Sequence, residues 1–335
     1  MKNSAKNARA IVFHETGEPE ILRIETVEVA APGPQEVRIQ VKAMGLNRAD
    51  SMYRKGQYLE NPIFPARIGY EASGIVEAIG EQVTHVAVGD TVSVIPAFSL
   101  NQYATHAELA LVPAYTVEKQ QADLSFEEAA SLWSVYITAY GMIIDTGKIQ
   151  TGQFVVINAA SSAVGLAAIQ TANAAGAVSI ALTTSASKKE ALLQAGAAHV
   201  VVTVAEDVTA ALNMITGNKG VTLVLDAVGG SLLSKIIPAM AQKGKIYIYG
   251  TLSPELTAIP SMDILSKGLT IGAFTVYDVN VDPVRQKAAK DFIYQGLKNK
   301  TLKPVIAKTF AFNDFVEAHR YLESNQQIGK VVVIL

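Results

Sequence analysis

The stretch Asn158-Ala-Ala-Ser-Ser-Ala-Val-Gly165 follows an apolar strand predicted at 154–158 and opens an alanine-rich helix. Dinucleotide-binding domains hold a pyrophosphate at such a strand–turn–helix, usually with the pattern G-x-G-x-x-G. This chain has Ala160, Ser162 and Gly165 at the three glycine positions. Alanine can serve the first if its φ stays negative, the serine adds a hydroxyl donor, and Gly165 permits close packing. The turn therefore predicts a phosphate loop, to which the helix N-terminus supplies amides.

Two other interpretations of this turn stay open. Small residues between a strand and a helix can serve packing alone, without any ligand. A serine on such a turn is also the nucleophile of α/β-hydrolases, but that turn needs G-x-S-x-G. Here Ala160 precedes the serines and no glycine lies two residues before Ser161 or Ser162. The sequence therefore favours the phosphate loop.

The next predicted strand ends in hydroxyl residues. Thr183, Thr184 and Ser185 stand where an NAD site carries Asp or Glu for the ribose hydroxyls. Lys188 and Lys189 follow them. Hydroxyls with a lysine suit a 2′-phosphate, so the sequence favours NADPH over NADH, with Lys189 as the predicted contact. The alternative is a helix start with two ordinary surface lysines.

Strands and helices alternate through the middle of the chain, which predicts a parallel sheet covered by helices on both faces. Further strands are predicted at 178–182, 199–204, 221–225 and 245–249, and helices at 163–175 and 188–194. The first 125 or so residues instead carry short strands with frequent Gly and Pro. That pattern is typical of a small barrel or sandwich. A last strand at 330–334 is expected to return to this first domain.

Composition excludes several classes of protein. The chain has 335 residues, half of them apolar, which indicates two domains with large cores and excludes disorder. A net charge of −2 argues against nucleic acid as the main ligand. The absence of cysteine excludes disulfides, thiolate zinc sites and iron–sulfur clusters. The apolar stretch after Lys2, Lys6 and Arg9 is too short for a signal peptide, and no run is long enough for a membrane helix. We therefore expect a cytoplasmic protein without a membrane partner.

Seven short blocks, taken in order, resemble the zinc-independent, quinone oxidoreductase-like branch of the medium-chain dehydrogenase/reductase superfamily over nearly the whole chain. They are GLNRAD at 45–50, GYEASG at 69–74, VGDTV at 88–92, TAY at 138–140, the loop at 158–165, DAVGG at 226–230 and GK at 329–330. The resemblance implies an α/β fold in which a Rossmann doubly wound parallel sheet at 131–275 binds NADPH. It also implies a GroES-like β-barrel catalytic domain at 1–130 and 276–335.

The zinc-dependent relatives in this superfamily hold catalytic zinc with Cys, His and Cys. Those positions fall here on Asn47, Tyr70 and Ser134, none of which is a good zinc ligand. The five histidines have no ligand spacing; they are His14, His85, His106, His199 and His319. We therefore expect no metal, and zinc-assisted alcohol oxidation is disfavoured.

Without zinc, the resemblance implies hydride transfer from NADPH to a small quinone or α,β-unsaturated carbonyl. Negative charge then builds on the carbonyl oxygen, so hydrogen-bond donors must polarise it and a proton must arrive. Tyr58 matches the position of the proposed catalytic tyrosine in related mitochondrial enoyl reductases, and Tyr53 and Asn47 lie on the same segment. These three are the catalytic candidates, although a half-buried loop tyrosine without a chemical role is the alternative for Tyr58.

The resemblance also assigns residues to the cofactor. They are Asn47, Thr138, Asn158, Ser161, Ser162, Ala163, Val164, Gly165, Thr183, Thr184, Ser185, Lys189, Val228, Tyr249, Gly250, Phe274 and Lys330. Trp133 and Tyr136 are candidates for the wall of the cleft, with packing as the alternative for Trp133.

Two other functions stay open: a relative of the zinc-type alcohol dehydrogenases, and a nucleotide-binding protein without catalysis, crystallin-like or RNA-binding. The resemblance further implies pairing of two copies through an edge strand at 269–274. Its sequence LTIGAF is apolar, and an exposed apolar edge is a liability unless it is covered. We therefore predict a homodimer.

Overall fold

The computed structural model describes residues 4–120 and 123–335, so Lys2 of the basic N-terminal start lies outside the described residues. The chain divides into two compact units, one of Met1–Ser134 with Pro304–Leu335 and one of Val135–Lys303.

Strands and helices are numbered in chain order. The strands are β1 Lys6–Phe13, β2 Arg23–Val29, β3 Glu36–Gly45, β4 Ala66–Arg67, β5 Glu71–Ile79, β6 Thr91–Val94, β7 Leu109–Pro113, β8 Val117–Lys119, β9 Phe154–Ile157, β10 Val178–Thr183, β11 His199–Val202, β12 Val221–Asp226, β13 Met240–Ile248, β14 Thr270–Ala273, β15 Ile306–Ala311 and β16 Lys330–Ile334. The helices are α1 Arg48–Arg54, α2 Phe126–Ala129, α3 Trp133–Tyr140, α4 Ala163–Ala174, α5 Lys189–Gln194, α6 Val208–Thr216, α7 Leu232–Ile236, α8 Ser261–Lys267, α9 Tyr277–Asn280, α10 Pro283–Lys298 and α11 Phe315–Glu323.

The first unit contains two β-sheets. One has the order β2-β1-β4, and the other has the order β15-β16-β3-β5-β6-β8 with β7 also paired to β3. All of these pairs are antiparallel except β15 with β16. Val332 of β16 pairs with Gly45 at the end of β3. The C-terminal strand thus brings residue 330 next to the segment that begins at residue 45.

The second unit is built on a parallel sheet of order β11-β10-β9-β12-β13-β14. Its central strands are buried on both faces, as the continuous apolar runs predict: Val156, Ile180 and Val224 are all fully inaccessible to solvent. The predicted α/β class with a parallel sheet is confirmed.

The return to the first unit begins at Pro304, later than the boundary predicted at 276. The contacts of α10 explain this correction. Arg285 forms an ion pair with Asp145 at 2.5 Å, and the ring of Phe292 lies 5.3 Å from that of Tyr140. These contacts tie α10 to the unit that contains the parallel sheet.

Across the residues that the structure describes, no helix combines the length and the apolar character that a bilayer crossing requires.

Candidate active site

The predicted phosphate loop connects β9 to α4 and is fixed by side chains at both ends. Ser162 caps α4, and its Oγ accepts a hydrogen bond from the Gly165 N–H at 3.0 Å. At the other end Asn158 Nδ2 donates to Asp226 Oδ1 at 2.8 Å. The same carboxylate oxygen accepts from the Val228 N–H at 3.0 Å. The buried carboxylate of Asp226 therefore holds the loop against the end of the neighbouring strand β12.

The backbone of the loop shows which small residues are required. A Cβ at Gly165 would lie 2.5 Å from the carbonyl oxygen of Ala160, so only glycine lets α4 begin this close to the turn. The left-handed residue is Ala159, with a φ of 49°. That conformation costs an alanine about 1 kcal/mol, which the loop's other contacts must offset.

The loop fits the pyrophosphate of a dinucleotide. The Ser162 hydroxyl accepts a hydrogen bond from the N–H of Gly165. Within the described part of the chain, the N–H groups of Ala163 and Val164 donate to no protein acceptor. Free amides at the start of a helix, with its positive dipole end, bind phosphate. Lys188 adds a positive charge beside the loop, because its Nζ donates to Ser161 Oγ at 3.0 Å.

Of the two adjacent lysines, Lys188 rather than the predicted Lys189 lies beside the phosphate loop. A 3₁₀ turn at Ala186–Lys188 precedes α5 and directs Lys188 back to the loop, where it is half-buried. Burial lowers the pKa of Lys188. Lys189 begins α5 and is exposed. The sequence could not separate two adjacent lysines, because the turn that distinguishes them is set by local backbone geometry.

The other nucleotide candidates of this unit gather at one edge of the sheet. They follow or end the strands at their carboxyl ends: Asn158 after β9, Thr183, Thr184 and Ser185 at β10, Val228 after β12, Tyr249 and Gly250 after β13, and Phe274 after β14. Ligands of open parallel sheets bind at this edge. The ring of Phe274 is buried against Gly141, where a Cβ would lie 2.2 Å from it.

Three candidates on α3 are packing residues rather than an exposed wall. Trp133 is fully buried, and its Nε1 donates to Ser93 Oγ at 2.7 Å. Tyr136 is 2% exposed, and its hydroxyl donates to Gln170 Oε1 at 2.8 Å. Thr138, predicted to touch the cofactor, is also buried.

The structure places Tyr53 in the core of the first unit, which argues against its predicted catalytic role. Its ring packs edge-on against Phe13 at 5.8 Å, and its hydroxyl donates to Asn101 Oδ1 at 2.8 Å. Burial, with a smaller effect of Glu60, raises the pKa of Tyr53 to about 12. The hydroxyl is thus already committed inside the protein.

Tyr58 lies on the loop after α1 and is half-buried. Its ring is 6.1 Å from the ring of Tyr70, which in turn lies 5.7 Å from Phe98. Tyr58 therefore belongs to a row of aromatic rings rather than to the core that holds Tyr53.

Two polar side chains that the sequence analysis missed anchor this loop. Glu60 Oε1 accepts from the Leu100 N–H at 2.7 Å and from the Tyr70 hydroxyl at 3.2 Å. Asn101 Oδ1 accepts from the Ile63 N–H at 2.9 Å. Since the two backbone partners, Leu100 and Ile63, lie 40 and 38 residues away from these side chains, no local pattern could have paired them. Together they hold the backbone on both sides of residues 60–63.

Lys330, predicted to bind the cofactor, is buried among side chains of the first unit. It is 2% exposed, and its Nζ donates to Asn47 Oδ1 and to Glu71 Oε2, both at 2.7 Å. The other oxygen of Glu71 accepts from the Ser134 N–H at 3.0 Å. Lys330 thus supports the side chain of Asn47, and its contact with a cofactor stays a prediction.

Asp50 completes this cluster from inside α1. It is fully buried, and its Oδ2 accepts from the Asn47 N–H at 2.7 Å. Burial raises the pKa of Asp50 to about 7, assisted by Glu71 and opposed by the Asn47 hydrogen bond and by Lys330. The carboxyl of Asp50 therefore holds its proton to a higher pH in the folded protein than an exposed aspartate does.

We expect Asp50→Asn to change how stability depends on pH. A carboxyl whose pKa is raised on folding contributes stability below its unfolded value near 4, and that contribution is lost as the pH rises through about 7. The amide cannot ionise, so the variant should gain about 1 kcal/mol or more in unfolding free energy relative to the wild type between pH 5 and pH 8. Urea unfolding of both proteins at the two pH values measures this gain. Parallel pH dependence in the two proteins would refute the buried titration.

Two family models match the chain. One described as "Alcohol dehydrogenase GroES-like domain" covers residues 33–120, and one described as "Zinc-binding dehydrogenase" covers residues 163–292. The ranges fall in the first and the second unit. The predicted GroES-like domain and Rossmann sheet are thereby confirmed. Within 4–120 and 123–335, no three His, Cys, Asp or Glu side chains are grouped as a metal site would need.

Known proteins are similar to this chain over nearly its whole length. A quinone oxidoreductase of Lama guanicoe is 30% identical over 100% of both chains. A 2-haloacrylate reductase of a Burkholderia species is 28% identical over 97% of this chain and 98% of its own. A structure of an Escherichia coli quinone oxidoreductase complexed with NADPH superposes with a TM-score of 0.89 at 27% identity, covering 98% of this chain and 100% of that one. The chain therefore belongs to the quinone oxidoreductase-like branch of the medium-chain dehydrogenase/reductase superfamily and is an oxidoreductase.

Proposed function

We propose that the protein is an NADPH-dependent, zinc-free reductase of quinones or α,β-unsaturated carbonyls. The observation that carries the proposal is the position of Lys188 at the phosphate loop, where it donates a hydrogen bond to Ser161. In addition, no acidic residue stands at the end of β10. A carboxylate there would favour ribose hydroxyls, whereas a lysine favours a 2′-phosphate. The names of the quinone and 2-haloacrylate reductases support the class of acceptor.

The second unit would hold the dinucleotide. The N–H groups of Ala163 and Val164 would bind the pyrophosphate, while Lys188 and the hydroxyls around Thr183 would bind the 2′-phosphate. NADPH, when bound, supplies the hydride. The protein's part at this end is to bind and orient.

The first unit would act on the acceptor. As negative charge develops on the carbonyl oxygen, the Tyr58 hydroxyl and the Asn47 Nδ2 group are the donors that we assign to it. A tyrosine hydroxyl can also deliver the proton that the reduced product needs. Tyr53 takes no part in this proposal, because its hydroxyl is bonded to Asn101.

The direct test is NADPH consumption with a panel of simple quinones, enones and 2-haloacrylates. We expect turnover with at least one of these acceptors. Tight NADPH binding without turnover of any acceptor would favour a nucleotide-binding protein without catalysis. Oxidation of simple alcohols with NADP⁺ and no reduction of enones would favour the alcohol dehydrogenase alternative.

We further propose that two copies pair through β14. This strand is the last in the sheet order and pairs with β13 on one side only, within the residues described. The preceding segment exposes large apolar side chains: Leu256, Met262 and Leu265 are 96%, 72% and 75% accessible. A second copy that extends the sheet would cover both features.

Light scattering at micromolar protein should therefore give the mass of a dimer. Leu265→Glu should shift the mass toward the monomer, because it places a charge on the apolar surface. Val204→Glu, at a residue that is 74% exposed after β11, is the matched control and should remain dimeric. A monomer mass for the wild type would refute the pairing.

A further inference from the structure

The ammonium of Lys330 is enclosed at the junction of three chain segments. It contacts Asn47 before α1 and Glu71 at the start of β5, and Glu71 in turn binds the Ser134 backbone at the start of α3. Glu71 and Lys330 are 0% and 2% exposed. Of the three side chains that meet at the ammonium, Asn47 keeps partial access to solvent.

The chemistry of the contact fixes the orientation of the Asn47 amide. A lysine ammonium has three donors and no acceptor, so the atom of Asn47 that faces it must be the oxygen. The Nδ2 group then lies on the other side, where it donates to the Gly45 carbonyl at 3.2 Å. An NH₂ group carries two donors, so one N–H is left for a ligand. If the Asn47 amide were flipped, its NH₂ group would lie against the ammonium, and two hydrogen-bond donors would face each other.

Glu71 makes this arrangement possible and Gly45 makes room for it. The carboxylate balances the buried charge of Lys330 at 2.7 Å. A Cβ at Gly45 would lie 2.9 Å from Lys330 Cε and 1.9 Å from the Ala130 carbonyl oxygen. A buried ion pair is often no more stabilising than two apolar residues of similar size. Stability alone therefore gives little reason for this pair, whereas a fixed direction at Asn47 does.

We infer that Lys330, held by Glu71, is a positioning residue that locks the Asn47 amide with its NH₂ group as a hydrogen-bond donor to the reacting carbonyl oxygen. The inference rests on the proposed function, in which that oxygen is the acceptor. It accounts for both contacts of Lys330 Nζ and for the polarity of the Asn47 side chain. In this role Lys330 acts on the carbonyl oxygen only through Asn47.

A double-mutant cycle tests this role. We expect Asn47→Ala to lower kcat for an enone by about 10²-fold, the loss typical of one donor to a developing oxyanion. Lys330→Met combined with Glu71→Leu should lower kcat to within about threefold of that value, because the apolar pair leaves no unpaired buried charge but releases the amide. Adding Asn47→Ala to this pair should cause almost no further loss. Multiplicative losses would show that Lys330 acts independently of Asn47 and would overturn the inference.

Two further variants serve as controls. The first tests the role of Lys330 with a polar replacement that disturbs the fold less, and the second tests whether the loss of any partly buried lysine lowers kcat. Lys330→Gln keeps a polar side chain without the charge and can bond either orientation of the amide, so its kcat should also fall. Lys245→Met is the matched control: Lys245 Nζ is partly buried and donates to the carbonyls of Thr146 and Gly147, at 3.1 and 3.2 Å. It should leave kcat unchanged. Full activity in Lys330→Gln would contradict the inference.

A spectroscopic measurement separates this inference from the proposed function. In protein labelled with ¹⁵N in asparagine side chains, the Asn47 NH₂ pair is assigned by its loss in Asn47→Asp. We expect Lys330→Gln to shift or broaden that pair, and Lys245→Met to leave it in place. If the wild type reduces no acceptor, the proposed function fails while this result still decides the orientation. An unchanged pair in Lys330→Gln would overturn the positioning role.

Discussion

Replacing Tyr58 with phenylalanine should lower turnover of an enone by about 10² to 10³-fold, with little change in NADPH affinity. The variant keeps the ring beside Tyr70 and removes only the hydroxyl, so the aromatic row should survive. The lost donor acts where charge develops on the carbonyl oxygen, and its effect therefore falls on kcat. A quinone should lose less turnover, because it accepts hydride more readily and needs weaker polarisation. Steady-state kinetics with one enone and one quinone measure both effects.

Tyr53→Phe is the matched control for this experiment. Tyr53 lies in α1 and Tyr58 on the loop that follows it, but the Tyr53 hydroxyl donates to Asn101 inside the first unit. Its removal should cost about 1 kcal/mol of stability and leave turnover near the wild-type value. A collapse of turnover in Tyr53→Phe with normal activity in Tyr58→Phe would transfer the donor role to Tyr53. Full activity in both would leave water or cofactor hydroxyls as the proton source.

Replacing Lys188 with alanine should weaken NADPH binding by about 10 to 100-fold and leave NADH binding nearly unchanged. The difference arises because a charge-assisted contact to phosphate is worth about 1.5 to 3 kcal/mol, and only NADPH carries the 2′-phosphate. Lys188 Nζ already lies 3.0 Å from Ser161 Oγ, next to the loop that would hold the pyrophosphate. Titration of both cofactors by fluorescence gives the two dissociation constants directly.

The neighbouring lysine supplies the control. Lys189→Ala removes the same charge one residue later, from an exposed position at the start of α5. It should weaken NADPH binding less than threefold, an effect of general charge alone. A larger loss in Lys189→Ala than in Lys188→Ala would restore the contact predicted from sequence. Equal affinity of the wild type for NADPH and NADH would refute the preference itself.

The sequence alone determined the architecture and predicted the position of the phosphate loop. Strand β9, the turn that ends at Gly165 and helix α4 are contiguous, so hydrophobic periodicity and the small residues of the turn were sufficient to predict them. The order of seven short blocks identified the family. Asn158, Ser162 and Gly165 all have contacts at the loop that agree with a phosphate-binding role.

Only the tertiary structure showed which polar side chains meet around Asn47 in the first unit. Lys330 and Asn47 are separated by 283 residues, and their contact exists because β16 pairs with the end of β3. Burial also distinguishes Tyr53, which lies in the core, from Tyr58, which lies on the loop. The sequence does not distinguish them, because they are the same residue type only five positions apart. Sequence patterns report which face of a local element is apolar. Which polar group is enclosed, and by which distant partner, depends on how strands from opposite ends of the chain pair.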